Sequence, residues 1–167
     1  QEIEEKAAYI IEQTTLYSSR HEKIKSVHDF LIDNTEYDKE NMANRANIYG
    51  TLIEGKAICE GYADSFKYIM DKMGIPCVVV CGNGIGEDGN TEFHAWDYVQ
   101  MEDGNWYAID VTWDDPIIIG NGSVSSDIRY RYFMKGSNNF LGSHQEDGDV
   151  SGTGQNFKYP TLSREDY

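Results

Sequence analysis

The chain has 167 residues, a length that suits one domain with a buried core, so residues 1–167 are treated as a single domain. Its 29 acidic side chains outnumber its 14 basic ones and give a formal net charge of −15. A chain so acidic repels phosphate backbones and anionic lipid, which argues against nucleic acid as a partner. No apolar run approaches the roughly 20 residues that span a bilayer, so membrane insertion is not expected.

Two helices are predicted at the start of the chain. Residues 2–15 begin with acidic side chains and then place apolar residues at helical spacing. Residues 21–34 repeat the pattern with one aliphatic stripe. His28 lies beside that stripe and is predicted to be a packed or surface histidine without a functional role.

A third helix is predicted from Cys59, because apolar residues recur at helical spacing until Gly74 and Pro76 stop it. The preceding residues 38–57 have no regular pattern. The later segments are a strand at Cys77–Cys81, a glycine-rich loop at Gly82–Asn90, strands at 93–101 and 105–113, and a last strand at 129–136. Helices first and antiparallel strands later favour an α+β fold.

Cys59, His94 and Asp110 are the candidate chemical groups. Cys59 begins a helix, where free N–H groups and a partial positive charge lower the pKa of a thiol and favour the reactive thiolate. Asp110 is an acid inside an apolar strand, and an unpaired buried carboxylate is costly, so it requires a partner. The nearest candidate is His94 in the preceding strand. The alternatives are a buried structural cysteine and a core histidine.

The turn between these two strands decides whether His94 can reach Asp110. A two-residue turn at 103–104 would place the two side chains on opposite faces, because side chains alternate along a strand. A three-residue loop at 102–104, with Gly104 left-handed, makes them diagonal neighbours on one face. We predict the three-residue loop.

Cys77 and Cys81 are predicted to be core residues. Four positions apart in a strand, they are separated by about 13 Å. That is too far for one disulfide or one zinc ion. The spacing also argues against a zinc site built from Cys59, Cys77, Cys81 and His94, and no metal or cofactor is expected.

Three segments resemble the core motifs of the transglutaminase-like superfamily: YGTLIEGKAICEGYADSF, HAWDYV and WYAIDVTWDDP. The resemblance runs from about Tyr49 to Pro116. The later segments RYRYFMKG and GSH are similar to the bacterial branch. The resemblance implies a papain-like α+β fold in which N-terminal helices and a cysteine-bearing helix pack on an antiparallel sheet.

The same resemblance implies acyl transfer on the amide bonds of protein or peptide substrates. Cys59 would be the nucleophile and form a thioester, His94 would be the general base and acid, and Asp110 would hold the histidine. Four aromatic residues would wall the cleft, with core packing as the alternative for each: Tyr49, Tyr62, Trp96 and Trp113. His144 is expected near the cleft and has no assigned role. Papain-like peptidases have a glutamine shortly before the cysteine, whereas IEGKAI has none, so the second oxyanion donor is unassigned.

Hydrolysis is favoured over crosslinking, because the loop at 82–92 is glycine-rich and acidic and is expected to be mobile and wet. Its acids would also attract a lysine amine, so transamidation stays open. The alternative function is a non-catalytic module that binds protein or cell-wall peptide in the same groove. The resemblance and the acidic composition suggest an extracellular or cell-surface location, and the start at Gln1 suggests a longer chain with further domains.

Overall fold

The computed structural model of the chain describes residues 1–116, 124–147 and 158–167. Helices are α1 (Glu2–Thr14), α2 (Arg20–Asn34), α3 (Cys59–Lys72), α4 (Val111–Asp114), α5 (Ser126–Arg129) and α6 (Ser137–Phe140), with a π-helical segment at Gly50–Glu54. Strands are β1 (Glu36–Tyr37), β2 (Lys56–Ala57), β3 (Cys77–Ile85), β4 (Thr91–Gln100), β5 (Trp106–Ile109) and β6 (His144–Glu146). No helix in these ranges is long and apolar enough to cross a membrane.

The described strands form two sheets. Four antiparallel strands are arranged in the order β5-β4-β3-β6, and β1 pairs with β2 in a small parallel sheet. Helix α3 lies against β4 and β3, and α1 and α2 pack beside it. The fold is therefore α+β, as predicted, with α3 packed on the antiparallel sheet and α1 and α2 beside it.

The three long helices lie where the apolar spacing predicts them. Helix α1 buries Ala7 and Ile10. Helix α2 begins after Ser19, whose side chain accepts a hydrogen bond from the Glu22 backbone N–H and so caps the first turn. Gly74 follows α3 with a φ of 69°, the left-handed conformation that ends many helices.

The β4–β5 hairpin has the predicted three-residue loop. The backbone N–H of Met101 donates to Asn105 O over 3.0 Å, and Gly104 has a φ of 80°. Asp97 pairs with Ile109, so the next position outward sets Trp96 opposite Asp110. His94 and Asp110 consequently share one face of the sheet.

The glycine-rich stretch is part of a strand, contrary to the predicted loop. Strand β3 continues to Ile85, and only residues 86–90 form the turn. Contacts with distant parts of the chain explain the glycines: a Cβ at Gly84 would lie 2.6 Å from Trp113 Cζ2, and one at Gly82 would lie 2.0 Å from the backbone oxygen of Gln145 in β6 and 2.9 Å from Trp96 Cη2. The glycines make room for the neighbouring strand and for two tryptophans, which local sequence does not reveal.

Two further strand predictions are wrong in part. The strand predicted at 105–113 ends at Ile109, because the Asp110 side chain accepts the Trp113 backbone N–H over 3.0 Å and caps α4. The strand predicted at 129–136 is absent from the described residues. Helix α5 ends at Arg129, and Lys135 forms an isolated bridge with Ala108.

Candidate active site

His94 and Asp110 form a short, buried hydrogen bond. His94 Nε2 lies 2.6 Å from Asp110 Oδ2, and the two residues are 2% and 0% exposed. Burial alone would raise the pKa of Asp110, but the charge of His94 and hydrogen bonds from the histidines that contact it outweigh burial and keep that pKa below its ordinary value. Burial would lower the pKa of His94, yet the facing carboxylate raises it. Asp110 is therefore placed to stabilise the imidazolium form of His94 when the ring takes up a proton.

Cys59 is the first residue of α3 and packs against Ala95, the neighbour of His94 in β4. Its Sγ donates to Glu60 Oε2 over 3.0 Å. In the described part of the chain, no hydrogen bond joins Cys59 to His94. The negative charge of Glu60 nevertheless raises the pKa of both side chains.

The pKa of Cys59 is raised to about 12, and the sequence-based expectation of a lowered pKa is wrong. Burial is the largest cause, followed by the hydrogen bond to Glu60 and its negative charge. The backbone at Ala95 and Glu60 stabilises the thiolate but does not outweigh them. The resting group is a neutral thiol, so a base has to remove its proton before it attacks.

Tyr37 and Glu92 belong to the same region; the sequence analysis did not identify Tyr37 and included Glu92 only as part of the acidic loop at 82–92. Tyr37 is 45% exposed. Partial burial raises the pKa of its hydroxyl, and the nearby groups Cys59, Glu92 and Glu60 raise it further. Tyr37 precedes the irregular segment and has no motif around it, so only the pairing of β1 with β2, which leads directly into Cys59, brings it here.

His144 is the second histidine on Asp110. Its Nε2 lies 2.7 Å from Asp110 Oδ2, the oxygen that His94 contacts, and the residue is fully buried. It begins β6, where it pairs with Gly84. The expected position near the cleft is correct, and the contact with Asp110 is new. The only sequence signal is the short GSH segment.

His94, Asp110 and His144 also form the one group of metal-type ligands in the described residues, with ligand atoms within 4.8 Å of one another. The two nitrogen–oxygen distances, 2.6 and 2.7 Å, are hydrogen-bond distances. Ligands at about 2.0–2.1 Å around a tetrahedral ion would stand roughly 3.3 Å apart. Both histidines are thus hydrogen-bonded to Asp110, and holding an ion would require the three side chains to separate.

Trp113 and Trp96 lie on either side of the histidines. The Trp113 ring is partly exposed and stacks on His94 with centroids 4.8 Å apart. Trp96 is 1% exposed and packs with His144 and Phe140 on the sheet face away from α3. Trp113 is therefore partly open to solvent beside His94, whereas Trp96 is buried behind the histidines.

Tyr62 and Tyr49 are placed apart from the histidines. Tyr62 is a fully buried residue of α3, and its hydroxyl donates to Asp115 Oδ2 over 2.5 Å. A covered side chain cannot contact a substrate without rearrangement. The Tyr49 hydroxyl lies 3.3 Å from Glu2 Oε2 at the start of α1.

Comparisons with known proteins agree with this fold. The family model of the transglutaminase-like superfamily matches residues 7–111. A comparison with curated proteins gives no match.

Among solved structures, a TGase is similar with a TM-score of 0.60 and 20% identity, over 78% of this chain and 35% of that one. A "Putative Cysteine Protease from Cytophaga hutchinsonii" is similar with a TM-score of 0.57 and 14% identity, over 98% of this chain and 57% of that one. The chain thus spans little more than half, or less, of these longer structures. At these identities the likeness shows the fold.

Proposed function

Because the chain belongs to the transglutaminase-like superfamily, we propose that it is a cysteine-dependent enzyme that transfers acyl groups from amides of proteins or peptides. The observation that carries the proposal is the 2.6 Å contact between His94 Nε2 and Asp110 Oδ2, one residue from the strand position against which Cys59 packs. A buried acid that orients a histidine beside a helix-start cysteine is the arrangement that nucleophilic catalysis requires.

His94 is the proposed base, and Nδ1 is the atom that acts. Its Nε2 is engaged with Asp110, so the neutral ring carries its hydrogen there and leaves Nδ1 free to accept the thiol proton. Cys59 Sγ then attacks the amide carbonyl carbon. Asp110 keeps the ring in place and stabilises its charged form.

The proton then leaves with the amine. Imidazolium Nδ1–H protonates the amide nitrogen as the carbon–nitrogen bond breaks, which gives a thioester and a free amine. An acceptor loses a proton to His94 and attacks the thioester, which restores the thiol. The backbone N–H of Cys59, in the first turn of α3, is the proposed donor to the oxyanion.

We propose water as the main acceptor, so that the reaction is hydrolysis. The rim beside Cys59 carries Glu60 and Glu92 and the exposed Tyr37, polar groups that retain water. The ordered strand at 82–85 limits the mobile loop assumed from sequence to residues 86–90. The same acids attract amines, so transamidation is the outcome to test against.

The deciding experiment is mass spectrometry of a peptide library in H₂¹⁸O with a labelled primary amine present. The wild type is compared with Cys59→Ala, and with Cys81→Ala as a matched cysteine control. We expect ¹⁸O in new carboxyl groups with the wild type and Cys81→Ala only. Amine incorporation above ¹⁸O incorporation would identify a transglutaminase. Binding of peptides without any Cys59-dependent product would identify the non-catalytic binding module.

The location and the chain context are further parts of the proposal. We propose that residues 1–167 are one domain of a longer extracellular or cell-surface protein. The acidic composition and the partial coverage of the similar structures support it. Fractionation of cells that produce the full-length protein, followed by detection of this domain, checks the location.

A further inference from the structure

Asp110 receives three hydrogen bonds, and two of them reach one oxygen. Oδ1 accepts the Trp113 backbone N–H over 3.0 Å. Oδ2 contacts His94 Nε2 at 2.6 Å and His144 Nε2 at 2.7 Å. An acid that had only to orient His94 would not need the second histidine. We propose that His144 is a positioning residue of the catalytic group, which fixes Asp110 and, through it, the tautomer of His94.

This assignment deepens the proposed function and rests on it, yet its structural basis is independent of any substrate. An ionised carboxylate only accepts hydrogen bonds, so both histidines present Nε2–H to Oδ2. With Oδ1 held by the backbone of α4 and Oδ2 by His144, the carboxylate cannot rotate about its χ2 bond. His94 therefore meets a fixed acceptor, which keeps its hydrogen on Nε2 and its Nδ1 free.

His144 is itself held rigidly. Its ring stacks on Phe140 with centroids 3.9 Å apart and planes 17° from parallel, and its Nδ1 lies 2.8 Å from Ser143 Oγ. The ring of Trp113 lies 4.6 Å away by centroids. The side chain is fully buried, so it has no access to a substrate. These contacts suit a positioning role and not direct proton transfer.

The contact also sets how strongly Asp110 attracts the proton of His94. The hydrogen bond from His144 partly neutralises the negative charge on Oδ2, so that Asp110 stabilises the His94 imidazolium less strongly. Without His144, the undivided charge would favour imidazolium. Proton removal from a neutral thiol requires the neutral ring, so the acid limb of Cys59 reactivity would move to higher pH.

The test compares His144→Gln and His144→Phe with the wild type, using two measurements that need no substrate. Histidine ¹⁵N NMR gives the tautomer and titration midpoint of His94, and iodoacetamide labelling followed by peptide mapping gives the rate of Cys59 alkylation against pH. His21→Gln assigns one resonance and controls for loss of a histidine elsewhere. Thermal unfolding reports whether each variant folds.

We expect Nε2–H tautomers for His94 and His144 in the wild type. In His144→Phe, the His94 midpoint and the acid limb of alkylation should rise by about 1 pH unit, a tenfold change in the neutral fraction at low pH. His144→Gln, whose amide can still donate to Oδ2, should shift both by less than half as much. An unprotonated Nε2 on His144 in the wild type, or the same midpoint in all three proteins, would overturn the proposal. The wild-type spectrum decides even if His144→Phe does not fold. Absence of peptide turnover would count against the proposed function and leave these outcomes unaffected.

Discussion

His28 and Asp114 form a fully buried ion pair under the turn that carries Asp110. His28 Nε2 lies 2.9 Å from Asp114 Oδ2, and His28 Nδ1 lies 3.0 Å from Asp29 Oδ1. A carboxylate lies on each ring nitrogen, and the two acids outweigh burial and raise the pKa of His28, whereas burial raises the pKa of Asp114 to about 6. The pair fastens α4 to α2, and α4 begins directly after Asp110.

Replacing His28 should destabilise the fold in a pH-dependent way. A buried carboxylate left without its partner costs about 3–5 kcal/mol, so His28→Gln should lower the free energy of unfolding by up to that amount. The His28 pKa is raised, so its stabilisation is lost as pH rises through the folded value, and the Asp114 pKa of about 6 means that the ion pair is also lost as pH falls below about 6. Urea unfolding at pH 7 and pH 9 checks the alkaline loss, with His21→Gln as control. A deficit of equal size at both pH values would contradict it.

Asp97→Asn should stabilise the protein at alkaline pH. Asp97 is 1% exposed, and burial raises its pKa well above the ordinary value. The folded protein therefore retains a proton that the unfolded chain releases near pH 4, so stability falls as pH rises through the interval between the two pKa values. Each unit of that interval costs about 1.4 kcal/mol, which the asparagine avoids.

Denaturant unfolding of the wild type and Asp97→Asn at pH 4 and pH 8 measures the effect. We expect nearly equal stability at pH 4 and a more stable variant at pH 8. Asp71→Asn, an exposed position on α3, is the matched control. A variant that is less stable than the wild type at pH 8 would show that Asp97 is ionised in the fold.

Glu60→Gln should make Cys59 more reactive. The variant removes the Glu60 carboxylate, whose hydrogen bond and negative charge are, after burial, the next causes of the raised pKa of the thiol. A decrease of about one pKa unit would raise the thiolate fraction, and the alkylation rate at pH 8, about tenfold. Iodoacetamide kinetics with peptide mapping measure it, with the exposed Glu102→Gln as control. An unchanged rate would mean that Glu60 does not control the thiol.

Gly84→Ala should displace Trp113 from His94. Its Cβ would stand 2.6 Å from the indole, and such overpacking costs about 1–3 kcal/mol of stability. Tryptophan fluorescence and the ring-proton shifts of His94 report the movement. Gly142→Ala is the control, since nothing lies within 4 Å of its Cβ position. If Gly84→Ala left the His94 shifts unchanged, the stacking would not depend on this glycine.

The sequence predicted those parts of the fold whose causes are local. The apolar stripes of α1, α2 and α3 and the stop at Gly74 lie within each segment, and the loop at 102–104 follows from its own residues and from the need to pair Asp110. The sequence does not predict strand β3 beyond Cys81, because Gly82 and Gly84 are required by close contacts with residues from distant positions in the chain. Helix α4 was missed because Asp110 caps it with the same side chain that binds His94.

In the candidate site, the motifs located Cys59, His94 and Asp110 but did not describe their surroundings. The raised pKa of Cys59 depends on which way Glu60 points, and helical spacing does not show this. His144 reaches Asp110 from 34 positions along the chain, through a strand of three residues with no strong pattern. The pKa values in the site therefore depend on contacts made only in the folded chain, whereas Cys59, His94 and Asp110 can be recognised from the sequence.

The length of the hairpin loop at 102–104 decides which face Asp110 occupies, although Asp110 lies six residues and about 20 Å beyond Gly104. Deleting or inserting one residue there would turn every side chain of β5 to the opposite face and point Asp110 away from both histidines. Natural variation in this turn should consequently conserve its length while its composition changes freely. A designer who grafts another loop onto this hairpin must count residues before choosing them.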